Sequence, residues 1–140
     1  MMAVVAILGI VAQLGFPAIH EAIDRARVAR ATGDIGAMEA EIAGFQADAD
    51  SLPTSLAGIS RSGFLDPWGH PYQYLRIASK KKGAPAGARK DRFLVPLNSD
   101  YDLYSMGKDG QSQAPLTATV SQDDIVRAND GSFVGLAAQY

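Results

Sequence analysis

The first nineteen residues, Met1 to Ile19 (MMAVVAILGIVAQLGFPAI), carry no charged side chain, and Gln13 is the plainly polar one. As a helix this run would be about 28 Å long. That is close to the hydrocarbon thickness of a bilayer, which about 17 to 25 apolar residues can cross. A soluble domain would have to cover such a helix on every side. The remaining 121 residues of the 140 are polar in the ordinary globular way and offer little material for that. A signal peptide would need a basic start and a small-residue cleavage site, and neither is evident. The run therefore reads as a membrane or filament-core helix, residues 1–20. It leaves residues 21–140 as the head, which begins with the amphipathic half of the same helix, 21–50.

From His20 the helical signal continues. The alanine-rich stretch through Arg30 favours helix. Ile35, Met38, Ile42, Phe45 and Ala49 then recur at spacings of three and four, giving one apolar stripe. Asp34, Glu39, Glu41 and Asp48 fall on the other side. Asp50-Ser51-Leu52-Pro53 is the expected stop, because a residue before proline is pushed out of the helical region. The expectation is one helix of about 50 residues, roughly 75 Å long.

Most of the fourteen glycines and seven prolines lie beyond Leu52, so the rest should be turns and short strands. Thr54 to Ile59 predicts a short helical turn capped by Thr54 or Ser55. Asp66-Pro67-Trp68-Gly69-His70-Pro71 predicts a compact turn. Strands are expected over Tyr72 to Ala78, Arg92 to Leu97 and Asp102 to Met106, with Pro96 demoting the second to an edge. Lys80 to Lys90 reads as a flexible basic tip, and the tail from Asn129, with Phe133, Val134 and Leu136, should pack back on the sheet. The fold class is α+β, a small antiparallel sheet on the amphipathic end of a long helix.

The chemistry is sparse. Net charge is −2 with no overall basic surface, which argues against nucleic acid as a partner. There is no cysteine, so disulfides and thiolate metal sites are excluded. His20 and His70 are too far apart for a ligand pair. Ser55, Ser62 and Ser105 lack triad context. Asp100 and Asp102 flank Tyr101 without an acid–base partner and read as solvated. No catalytic residue is assigned. Asp109, between Gly107 and Gly110, and the pair Asp123-Asp124 could supply oxygen ligands to calcium, though the spacing is not that of an EF-hand. The alternative is that Ser121 caps a short helix while Asp123 and Asp124 favour its N-terminal dipole. Both arrangements can coexist.

The apolar start with Gly9 and Pro17 resembles that of a mature type IV pilin-like subunit. Asp66-Pro67-Trp68-Gly69-His70-Pro71-Tyr72-Gln73-Tyr74 and Asp102-Leu103-Tyr104-Ser105-Met106-Gly107-Lys108-Asp109-Gly110 are similar, in order, to signatures of the major pseudopilins of type II secretion. The resemblance covers almost the whole chain. It implies a non-enzymatic structural subunit, held as a single-pass protein in a bacterial inner membrane with its head in the periplasm. From there it would polymerise with itself into a helical filament, alongside minor pseudopilins and an inner-membrane assembly platform. A type IV pilin for adhesion or motility is the alternative on the same architecture. The family's mature N-terminus has a methylated phenylalanine and a glutamate at the fifth position. This sequence starts just past that point, so a late start is expected. The resemblance also implies calcium in the C-terminal loop, held by Asp109, Asp123 and Asp124 with the carbonyls of Met106 and Ser121. The loop is longer here, and the usual tryptophan after the aspartate pair is missing.

Overall fold

The computed structural model describes the backbone of residues 2–77 and 83–140, and the side chains of residues 9–10, 18–77 and 83–140. One helix, α1 (Met2–Ala49), runs the length foreseen, through Pro17 and through Gly33, Gly36 and Gly44. It ends where Asp50 turns to a left-handed φ of 51°, three residues before Pro53. Among the described residues no helix is long and apolar enough to cross a membrane. Most side chains of the expected anchor, 1–8 and 11–17, lie outside the described residues.

Four strands follow as an antiparallel meander: β1 (Gln73–Arg76), β2 (Tyr101–Ser105), β3 (Ile125–Ala128) and β4 (Phe133–Leu136). Leu75 pairs with Asp102, Tyr104 with Val126 and Ile125 with Leu136. Side chains alternate between the two faces, as pleating requires. Tyr101, Leu103, Ile125, Val134 and Leu136 join Ala31, Ile35, Met38 and Ile42 of α1 in one core. Tyr104, Val126, Ala128 and Phe133 point the other way, where Leu97, Leu116 and Ala137 cover them. The helix stripe is fully buried at Ile35 and Met38. Each such side chain contributes roughly 1.5–3 kcal/mol by leaving water.

Several expectations are corrected. Arg92 to Leu97 is no strand: Asp91 and Leu94 exchange backbone hydrogen bonds across a tight turn, and Arg92 takes a φ of 36°. Phe93, at the tip, is 98% exposed. The turn after α1 is a 3-10 segment, Leu56–Ile59, and Ser55 precedes it without a side-chain capping bond. Ser121 ends a 3-10 turn, Thr119–Ser121, and β3 follows, so no helix starts there for Asp123 and Asp124 to cap. The tail, by contrast, packs back on the sheet as expected, joining it as β4. Ala78 and the lysine run 80–82 lie outside the described residues.

The polar side of α1 is not simply solvated. Tyr72 donates its hydroxyl to Asp34 at 2.9 Å. Arg61 donates to both carboxylate oxygens of Glu41. Arg127 on β3 bonds Glu39 and, through both terminal nitrogens, Asp100 at 2.8 and 2.9 Å. Its guanidinium lies 4.1 Å from the Tyr101 ring centre. Asp100 is therefore paired and not solvated as the sequence suggested.

Candidate functional site

The two signature segments fold into one unit. Asp66 is 4% exposed, and its Oδ1 accepts the backbone N–H groups of Trp68 at 3.0 Å and His70 at 2.9 Å. This closes the proline turn as an Asx-type loop. Asp66 Oδ2 accepts the hydroxyl of Ser105 at the end of β2, and that hydroxyl accepts the N–H of Gly107. The His70 ring, through Nδ1, lies 3.1 Å from the carbonyl oxygen of Gly107. A side chain on Gly110 would begin 2.6 Å from His70 Nε2. The glycines are thus fixed by close approach as well as by φ of 65° and 67°.

The C-terminal loop leans on this unit. Asp123 Oδ2 accepts the N–H of Asp109 at 3.0 Å, and Asp109 Oδ1 accepts that of Gln111 at 2.8 Å. The Asp123 carbonyl oxygen would be only 2.3 Å from a Cβ on Gly107. Ser121 is buried, and its hydroxyl exchanges bonds with the backbone of Gln113 at 2.8 and 2.9 Å. Its carbonyl accepts the N–H of Asp124. Met106 is half-buried at the start of the turn.

Asp124 points the other way, into the protein, with no exposed side-chain surface. Its Oδ2 accepts the Ser112 hydroxyl at 2.5 Å and forms an ion pair with Arg89 Nη2. Its Oδ1 is buried without a hydrogen-bond partner. Burial pushes its pKa up to about 6, against the opposing pull of Ser112 and Arg89. Asp102, read from the sequence as solvated, is also buried. It accepts the backbone N–H of Arg89 at 2.6 Å and the Asn98 amide at 2.8 Å. Burial raises its pKa too. Arg89 and Ser112 were missed because Arg89 sits in a run that reads as a mobile basic tip. Nothing in its neighbours marks it as a cation turned inward.

The acidic set fits an oxygen-ligated cation in one respect. Asp124 Oδ1 is an unpartnered buried acceptor in the loop that also holds Asp109 and Asp123 together. Among the described residues, however, no three acidic or histidine side chains converge as a metal cluster.

A long helix with its second half built into an antiparallel sheet, and its glycine-bearing loop docked on a proline turn, is the architecture of a type IV pilin-like subunit. The chain is 31% identical over 131 residues to type II secretion system core protein G of Pseudomonas aeruginosa. The match covers 79% of this chain and 80% of that protein. The chain therefore belongs to the major pseudopilins of type II secretion. No protein-family model and no solved structure matches it.

Proposed function

We propose that this chain is a non-enzymatic building block of a type II secretion pseudopilus, held in the inner membrane by its first helical half. From there it would be drawn into a periplasmic filament with further copies of itself, minor pseudopilins and an assembly platform. Its place in the family supports the structural role. The observation that carries the rest is the division of labour along α1. Ala31, Ile35, Met38 and Ile42 are buried by the chain's own sheet, whereas Ile10, Ile19 and Ile23 are 59%, 56% and 44% exposed. Ile19 and Ile23, one helical turn apart on the same face, continue the uncharged first stretch as an apolar strip that lipid or neighbouring helices would cover. Head-to-tail packing of like helices gives an open filament without a closed ring.

The test is to express Ile19→Asp/Ile23→Asp in a strain able to assemble pseudopili and to image sheared filaments. Filaments should vanish while the melting of the head, followed by Trp68 fluorescence, stays unchanged. Filaments at wild-type abundance would refute the assembly reading.

Calcium is part of the same reading. Asp109 and Asp123, joined through the Asp109 N–H, would hold it with the carbonyls of Met106 and Ser121, and Asp124 would complete the set only by turning its free Oδ1 outward from the side that faces Arg89. The ion would supply positive charge to a loop rich in carboxylates. Isothermal titration of the full chain in detergent with calcium chloride should give saturable heat, absent in Asp109→Ala/Asp123→Ala. A wild-type chain that gives no heat would rule this out.

A further inference from the structure

We infer that Arg89 is the resident cation of the C-terminal loop, supplying from inside the protein the positive charge that holds residues 111–124 closed. The inference does not depend on calcium. Arg89 is 1% exposed although it lies in the most basic segment of the chain. Its Nη2 pairs with Asp124, and its Nη1 donates to the Ser112 hydroxyl and to the Gln113 carbonyl, the latter at 2.7 Å. One guanidinium thus ties both ends of the loop: residues 112 and 113 where it leaves the glycine turn, and residue 124 where it enters β3.

The position of Arg89 is fixed from behind. Its backbone N–H is held by Asp102, its carbonyl accepts the N–H of Leu97, and its guanidinium carbon lies 4.2 Å from the centre of the Tyr104 ring. Planar forked donors and aromatic stacking are properties of arginine that lysine lacks. A buried carboxylate deprived of its partner is strongly destabilising, whereas removing both charges of a pair is often nearly neutral. That asymmetry separates a charge-supplying role from simple space filling.

The test is hydrogen exchange on the full chain in detergent with excess EDTA, so that no divalent ion takes part. The probes are the amides of Gln113, Ser121 and Asp124, all hydrogen-bonded within the loop. Wild-type chain should keep them protected. Arg89→Met should speed their exchange at least about tenfold, and Arg89→Met/Asp124→Asn should recover most of the loss. If Arg89→Met does not fold, the double variant and Arg89→Lys still decide the matter. The double variant must then protect the loop better than the lysine variant. Unprotected amides in the wild type under EDTA would overturn the inference. So would a double variant no better than Arg89→Met. Calorimetric failure of the calcium reading would leave this result untouched.

Discussion

Replacing Arg127 by methionine tests what joins the helix to the sheet. The guanidinium is 4% exposed and bonds Glu39 of α1, Asp100 and the Tyr101 carbonyl. Hydrogen bonds to charged partners are worth roughly 1.5–3 kcal/mol each, and a stacked cation–π contact about 1. Glu39 and Asp100 keep 23% and 32% of their side-chain surface in water, so both can rehydrate once released. That places the loss at the lower end, about 2–4 kcal/mol, well short of the sum of the contacts. For a chain of this size each kcal/mol moves Tm by ~3 °C, giving a fall of roughly 6–12 °C. The first half of α1 will stay helical in detergent, so far-ultraviolet dichroism is the wrong probe. Trp68, packed against the main core, reports the head alone. Arg127→Lys keeps the charge and loses the fork, and should recover less than half the loss. A melting temperature for Arg127→Met within about 2 °C of the wild type would refute the reasoning.

Gly107→Ala should cost ~2–4 kcal/mol, because its new methyl meets the Asp123 carbonyl at 2.3 Å and the φ of 65° disfavours any side chain; an effect below about 1 kcal/mol in a denaturant titration would mean that the two loops are not docked. Ile35→Ala, at a position with no exposed surface, should destabilise by roughly 2–5 kcal/mol in the same titration, and a negligible change would place that face of α1 outside the core. The Arg61 hydrogen bonds hold the Glu41 carboxyl below its usual pKa, so the pair stabilises above the unfolded value and that contribution is lost as pH falls through the lowered one. Both groups are solvent-accessible, so Glu41→Gln should lower Tm by no more than about 3 °C near neutrality and by progressively less as pH falls through the carboxylate range; a drop that stays constant as pH falls would refute an ionic role.

Much of the fold was legible because it rests on local signals. The spacing of Ile35, Met38 and Ile42 names the buried stripe of α1, and Asp50 to Pro53 names its end. The turn at Asp66 to Pro71 follows from its prolines and glycine. The strand at Arg92 to Leu97 failed because alternation alone cannot see that the chain turns on itself at Asp91 and Leu94. β3 was missed because Ser121-Gln122-Asp123-Asp124 has the composition of a helix start, and only the sheet edge offered by β2 makes Ile125 to Ala128 a strand.

The site divides in the same way. Asp109, Asp123 and Asp124 were found as acidic residues near glycines, but their directions were not. A strand sends successive side chains to opposite faces, so Asp102 points away from α1 and toward Arg89 although Tyr101 and Leu103 on either side of it face the helix.

By itself the amino-acid sequence determined the rod: an uncharged first stretch, an apolar stripe behind it and a proline-marked end are written in nearest neighbours and helical spacing. Which charges are buried was decided only by the folded head. Burial of Arg89, Asp102, Asp124 and Arg127 depends on partners as far as 13, 35 and 88 positions away. The free energy of taking an ion out of water is settled by whether such a partner arrives, and no local pattern carries that information.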